Sequence, residues 1–392
     1  MAGYFDHNAT TPLDPRVRDE MLPWLGERWG NASSVHAFGR EAGAAVEEAR
    51  ERVAAALAVR PQEVVFTASG TEANNAVLSA CGRLCGFAGH VVVSAFEHPS
   101  VLRAAEDLER AGMKVTRVAP DREGQVAAEA MVAALREDTR LICLMLANNE
   151  VGTLQPVREV AAACRDRRIP ILCDAVQAVG KIPVDVGRLG VDYLTLGAHK
   201  FHGPLGAAAL WIRDGAPFLP FLVGGSQEQR RRAATVNVPA VVGLGAAAAL
   251  VRSELPARAA RLAALRDRFE AGLREGAAAI PGAVVHGASR SRLPNTSHIA
   301  VPGVAAQALM IRLDLDGYAV STGSACGSGV VDASPAMRAM GIPEEEALAS
   351  LRVSFGTTNT EAEVDGLLAT LAAATAALRA PAARSRGAEA GR

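Results

Sequence analysis

Between Glu63 and Ile212 the chain alternates short apolar runs with segments of helical spacing. The runs VVF (64–66), VVVSA (91–95), LICLML (141–146), IPILC (169–173), DYLTL (192–196) and AAALWI (207–212) are rich in valine, isoleucine and leucine, as strands covered on both faces are. Runs of this kind, separated by helices, predict an α/β fold on a mostly parallel sheet. The last run follows HGPLG too closely for a crossover helix, so it is expected to turn back as an antiparallel strand. Each of the first five ends in a polar cluster: TASGTEANN, FEH, ANNE, DAVQ and GAHK. Ligands of open α/β sheets bind beyond the carboxyl ends of the strands, so these clusters are expected to share one crevice.

The texture changes at Pro256. PARAARLAALRDRFEAGLREGAAAI reads as an amphipathic helix with Pro256 in its first turn, leading into a second unit. That unit contains VVH, a helix near AAQALMIRLD, the glycine-rich STGSACGSG and a final helix from Glu361. VVGLGAAAAL, from Val241, contains G-x-G-x-x-A, the pattern of a dinucleotide-binding turn. Only two valines precede it, and Glu254 follows too closely to reach a ribose, so a small-residue helix is the better reading and a dehydrogenase the weaker one.

At 392 residues the chain is long enough for about two domains. A net charge of −1 removes any bulk electrostatic case for nucleic acid or an acidic surface as partner. The N-terminus shows no signal-peptide pattern, and no apolar run approaches the ~20 residues of a membrane span. With six cysteines and no export signal, the expected setting is a reducing one, the cytoplasm. Cys81 and Cys85, in CGRLC, would be half of a metal site, but no second ligand pair stands at metal-site spacing, so no metal is expected. Cys143, Cys164 and Cys173 sit among apolar residues and read as core thiols, whereas Cys326 lies in a loop of glycines and serines.

Lysine occurs only at 114, 181 and 200, leaving 38 of the 41 basic residues as arginine. Lys200, in LTLGAHKFHGPLG, follows a buried strand and stands beside His199 and a Gly-Pro turn, which suits an amine nucleophile held next to a cofactor. Lys114 and Lys181 are expected to begin exposed strands after helix ends, and read as solvated charges. SGTEANN offers the N–H groups of Gly70 and Thr71 at a helix start, an anion cradle as well as an ordinary cap. Asp174 ends a strand where it can pair with a protonated ring nitrogen or simply cap a helix. If a helix starts there, Gln177 lies on the same side. His98 can stack on a ring and relay protons or serve structure alone, and Asn149 has a plain reading as a turn residue.

DHNATTPLDPRV, SGTEANN, EHPSVL, ANNEVGTLQP, DAVQAVGKIPVD, AHKFHGPLG, GGSQEQRRRAAT, STGSACGSG and LRVSFGTTNT, in this order from about Tyr4 to Glu363, resemble the NifS/IscS-type cysteine desulfurases. These are pyridoxal-phosphate enzymes of the class V aminotransferase family. The resemblance implies a type I fold with a mostly parallel seven-stranded sheet and a smaller α+β domain. The corresponding division is 13–255 for the large domain, 1–12 with 256–380 for the small one, and 381–392 as a disordered tail. It also implies that Lys200 carries the cofactor through its amine, that His98 stacks on the ring, and that Asp174 holds the ring nitrogen. Gln177 and Asn149 would touch the phenolic side, Gly70, Thr71 and His199 the phosphate, and Arg352 the substrate carboxylate. Thr235 would complete the phosphate cradle of a neighbouring subunit, which implies a homodimer. Cys326 would be the nucleophile that takes sulfur from L-cysteine as a persulfide, leaving L-alanine and passing the sulfur to an acceptor or scaffold protein for iron–sulfur cluster or thio-cofactor assembly.

The sequence departs from the family pattern at Gly197, commonly serine, and at Ala233 and Ala234, commonly Ser-Gly. Two other readings stay open: a lyase of the same fold acting on selenocysteine or another amino acid, and a catalytically silent partner of a desulfurase. Intact Lys200 and Cys326 disfavour the latter.

Overall fold

The computed structural model describes residues 3–322 and 332–379. After a short strand β1 (Gly3–Tyr4), the chain builds β2 (Val64–Thr67), β3 (His90–Ser94), β4 (Lys114–Val118), β5 (Thr139–Cys143), β6 (Ile171–Asp174), β7 (Tyr193–Gly197) and β8 (Ala208–Ile212). These last seven form one sheet in the order β2-β8-β7-β6-β5-β3-β4. β8 runs antiparallel to both neighbours, as its tight HGPLG connection predicts, and every other pairing is parallel. Apolar clusters flank the sheet, one including Val64, Ile142 and Leu194 and the other Val65, Val91 and Leu172. Consecutive strand residues thus point into different cores, which is why these runs are continuously apolar.

A further core gathers Phe5, Phe269 and Phe355 with Leu367 and Leu371. It is built on β9 (Val284–Val285), β10 (Thr296–Ala300), β11 (Tyr318–Ala319) and β12 (Ser350–Ser354), with β10 central between antiparallel neighbours and β1 paired parallel to β11. Phe5 carries the N-terminus into this C-terminal core, so the segment after β1 crosses between the cores on its way to the large sheet.

The helix expected to start at Pro256 begins instead at Val238 and runs without interruption to Arg274. Asn237 caps it, its side chain accepting from the N–H of Ala240 at 3.2 Å. Pro256 removes one internal hydrogen bond, which two well-packed flanks tolerate. The first half has the length and hydropathy of a membrane span, unlike the sequence expectation, but this apolar stretch is mostly buried within the protein. A Cβ on Gly245 would sit 2.6 Å from Cα of Ala49. The glycine-rich stretch is therefore a close helix-packing surface rather than a phosphate turn.

Candidate active site

The carboxyl ends of β2, β3, β5, β6 and β7 meet around a cavity of about 250 Å³. Gly70, Thr71, His98, Asn149, Asp174, Gln177, His199 and Lys200 all line it. Of the remaining candidates, Arg352 stands beside it and Thr235 lies apart. Cys326 is in 323–331, outside the described residues, as is the tail 381–392. A larger open depression, of about 1250 Å³, lies at the opposite ends of the strands, around Cys81, Cys85, Arg136 and Arg140, and contains none of these groups.

The helix Gly70–Leu84 points its N-terminus into the cavity. Ser69 caps it, Oγ accepting from the N–H of Glu72 at 3.0 Å, while the Glu72 carboxylate accepts from the N–H of Ala68 at 2.9 Å. The N–H groups of Gly70 and Thr71 are in the first turn, beyond the helix's own carbonyls, and so point at whatever the cavity holds. A Cβ on Gly70 would meet Cγ2 of Val176 at 2.7 Å. Glycine is what lets this turn approach the Asp174–Gln177 segment.

Asp174 accepts from Asn74 Nδ2 at 2.7 Å and from the N–H of Val176 at 2.9 Å. Asn74 Nδ2 also donates to Ser100 Oγ at 2.9 Å, and its Oδ1 accepts from Thr195 Oγ1. Ser100 in turn fixes His98: Nδ1 of His98 accepts the N–H of Ser100 at 3.1 Å and lies 2.8 Å from Ser100 Oγ. With Nδ1 an acceptor, the neutral ring carries its proton on Nε2. Burial, opposed by Asp174 and assisted by Lys200, holds the pKa of His98 below the usual histidine value. His199 is pushed down to about 4 by burial and then by Lys200 and Lys181, so it is a neutral hydrogen-bonding group at physiological pH.

Lys200 extends from the short turn after β7 and donates to the carbonyls of Asn8 at 2.6 Å and Ala9 at 2.7 Å. Burial, then the Arg352 charge, bring its pKa down to about 8, against the pull of Asp6 and Asp174. An uncharged amine is therefore accessible near neutral pH, as nucleophilic and basic lysines require.

Sequence reasoning missed the role of the N-terminal segment. Asn8, 1% exposed, accepts from Lys200 and from Gln177 Nε2 (2.9 Å) through its carbonyl. Its side-chain Nδ2 donates to the carbonyl of Asn149 at 3.2 Å and to Thr296 Oγ1 at 2.9 Å. The quoted motif DHNATT carried the signal, since an asparagine and threonines beside apolar Phe5 suggest a buried polar knot. His7 packs so tightly against Gly356 that a Cβ there would collide with its ring, which explains the glycine in LRVSFG. Lys181 corrects a second expectation: it is neither on a strand nor solvated but 3% exposed within this network. Lys114, by contrast, begins β4 and is exposed. Nor does a helix start at Asp174; a series of turns brings Gln177 to the cavity.

Arg352, on β12, donates from Nη2 to Asp6 Oδ1 at 2.6 Å and from Nη1 to the carbonyl of Asn149 at 3.0 Å. Its backbone exchanges hydrogen bonds with Ser321. On the other side of 323–331, Ser334 Oγ donates to Glu150 at 2.5 Å. Burial pushes the Glu150 pKa up to about 7. The described residues on either side of 323–331 thus stand beside Arg352 and next to Asn149.

Thr235 is exposed, outside the cavity of its own chain. The loop before it contains Glu228, Gln229 and Arg230 at φ of 49°, 55° and 64°, a left-handed conformation that costs non-glycine residues roughly 1–2 kcal/mol each. A buried bidentate pair secures it: Arg50 Nη1 and Nη2 donate to Glu228 at 2.7 and 2.8 Å, and Glu228 also accepts from the N–H of Phe66 at 2.8 Å. Arg232 ties the same loop to Glu72 on the cavity helix at 2.8 Å.

The chain matches the aminotransferase class-V family over residues 3–367. It is 41% identical over 363 residues to a protein of Dictyoglomus turgidum named cysteine desulfurase IscS, covering 92% of this chain and 91% of that one. It is 42% identical over 365 residues to cysteine desulfurase 2 of Trichormus variabilis, covering 93% and 91%. Among solved structures, a NifS-like protein superimposes with a TM-score of 0.90 at 36% identity, over 96% of this chain and all 100% of that one. SspA in complex with cysteine gives 0.80 at 30% identity, over 91% and 99%.

Proposed function

This chain belongs to the aminotransferase class-V family, and from that membership we propose that it is a cysteine desulfurase, converting L-cysteine to L-alanine and collecting the sulfur on Cys326 for delivery to an acceptor protein. The observation that carries the reading is the Lys200 amine, brought to a pKa of about 8, in a cavity that also presents Asp174, His98 and a helix N-terminus. The proposed cofactor is pyridoxal phosphate, and the groups present fit it. An acceptor-only carboxylate suits a pyridinium N–H, first-turn N–H groups suit a phosphate, and an accessible neutral amine suits an aldehyde. When bound, this group supplies an electron sink that makes the α-proton of an attached amino acid acidic and loosens its β-substituent.

The protein's own residues then divide the work. Asp174, anchored by Asn74 and Val176, would accept from a protonated ring nitrogen. Gly70, Thr71 and His199 would hold the phosphate, and Gln177 and Asn149 the phenolic side. Lys200 would hold the cofactor through its amine and serve as the base for the α-proton, and His98 would face the ring and assist proton movement. Arg352 grips the substrate carboxylate, a bidentate role suited to guanidinium. The Cys326 thiolate would take the substrate sulfur as a persulfide: the S–S bond forms as the Cβ–S bond breaks, and the carbon side keeps the bonding pair, is protonated and leaves as alanine. We further propose a homodimer in which the secured loop presents Thr235 to the neighbouring subunit's phosphate. We also propose the division into 13–255 and 1–12 with 256–380, which would put the residues lining the cavity in the larger unit and Arg352 and Cys326 in the smaller.

The test is to incubate the cofactor-loaded protein with L-cysteine and a reductant and quantify both products. Sulfide and alanine should appear in equal amounts; alanine without sulfide, or neither product, would remove the desulfurase reading, and preference for selenocysteine would favour the lyase. Gly197 permits a second check. A Cβ there would find its nearest neighbour, His199 Cδ2, at 3.6 Å, so a side chain is accommodated. Gly197→Ser should tighten pyridoxal phosphate binding several-fold, the order of one added hydrogen bond of about 1 kcal/mol, measured as the dissociation constant of the reconstituting protein.

A further inference from the structure

Lys181 Nζ lies 2.8 Å from Asn8 Oδ1 and 2.6 Å from Gln177 Oε1. A lysine amine has no acceptor role when charged, and here both its partners are carboxamide oxygens. The other ends of both amides are fixed independently. Gln177 Nε2 faces the carbonyl of Asn8, and Asn8 Nδ2 faces the carbonyl of Asn149, and a carbonyl can only accept. Each amide is thus held in one orientation from both sides. Asn295 Nδ2 adds a further donor to Asn8 Oδ1 at 3.0 Å. Burial, then Lys200 and Arg352, drive the Lys181 pKa well below the ordinary lysine value. Charged or neutral, the amine has N–H groups enough to donate to both oxygens.

We infer that Lys181 is a positioning residue: it locks Gln177 with its oxygen turned away and its second Nε2–H free for the cavity, so the bound group opposite Gln177 must be a hydrogen-bond acceptor. This rests on the proposed cofactor site, where that acceptor is the phenolic oxygen of pyridoxal phosphate. A donor at this point favours the unprotonated form of its acceptor; without Lys181 the Gln177 oxygen loses its donor and the amide is held by the Asn8 carbonyl alone, so it can shift and weaken that support.

The experiment follows the pH titration of the visible absorbance of protein loaded with pyridoxal phosphate, alongside thermal unfolding. In Lys181→Met the absorbance midpoint should move upward by about one pH unit, the size of one hydrogen bond to a charged acceptor. Gln177→Met should shift it in the same direction, and the double variant no further. The titratable and charged groups near Lys181, namely His7, His199, Lys200, His202 and Arg352, are unchanged by these substitutions. A wild-type midpoint in Lys181→Met, with only a lower melting temperature, would reduce Lys181 to a structural residue and overturn the inference. If that variant fails to fold, Lys181→Gln decides. Its side chain both donates and accepts, so it no longer dictates the Gln177 orientation, and an unmoved midpoint there overturns the inference equally. Lys200→Ala reports on the underlying reading alone: an absorbance band that survives it would refute the cofactor site, and the inference with it. A band lost in Lys200→Ala beside an unmoved midpoint in Lys181→Met refutes only the inference.

Discussion

Lys200→Ala is expected to abolish the visible absorbance of the loaded protein and to lower alanine production roughly 10³-fold or more, the combined loss of a covalent anchor and a general base. The pH dependence of reconstitution tests the same group more finely. With a pKa of about 8, against 10.5 for an unperturbed lysine, about one amine in ten is neutral at pH 7 instead of about one in three thousand. Burial and Arg352 both disfavour the charged form, so the sign is fixed: attachment of pyridoxal phosphate accelerates as pH rises toward 8 and levels off above it. Stopped-flow absorbance of the apoprotein mixed with the cofactor reads this directly. A rate still climbing steeply through pH 10 would mean that the amine is solvated. The carbonyls of Asn8 and Ala9, which hold Lys200 Nζ, are acceptors of either protonation state and do not trap the charge as a carboxylate partner would.

Cys326→Ala is expected to bring sulfide release down to background, a loss of at least about a hundredfold for a nucleophile with no substitute, while the visible spectrum stays that of the parent. The absence of a substitute follows from the other thiols. Cys143, Cys164 and Cys173 are fully buried, and burial raises the pKa of each. Cys81 is pushed up to about 12 and lies with Cys85 at the far end of the sheet from Lys200. A thiol that is buried in a core or lies at the far end of the sheet does not reach the cavity and cannot take over the sulfur. Sulfide release that persists in Cys326→Ala would refute the assignment, and loss of the absorbance band would show that Cys326 supports the cofactor rather than receives sulfur.

Much of this site was legible because its signals are local. The cap at Ser69, the strand ending in Asp174 and the turn carrying Lys200 each declare themselves within a few residues, through runs that end at the same edge of one sheet. Lys181 was not legible in this way. In VGKIPVD it follows a turn and looks solvated, yet its partner Asn8 is 173 positions away and covers it only in the folded chain. The same holds for Arg352 and Asp6, 346 positions apart. Pro256 misled for a related reason: locally a proline marks a helix start, but packing on both sides of it outweighs the one hydrogen bond it removes.

The linear order of residues therefore determined the alternation of strand and helix, the edge of the sheet where polar groups gather, and which lysine stands at a buried strand's end, since all of these follow from periodicity and backbone chemistry over short spans. Only the tertiary structure decided which polar groups are dry, which way the Gln177 and Asn8 amides face and how far the Lys200 amine is discharged. Those properties depend on neighbours brought from opposite ends of the chain, and on the exclusion of water that their contact produces.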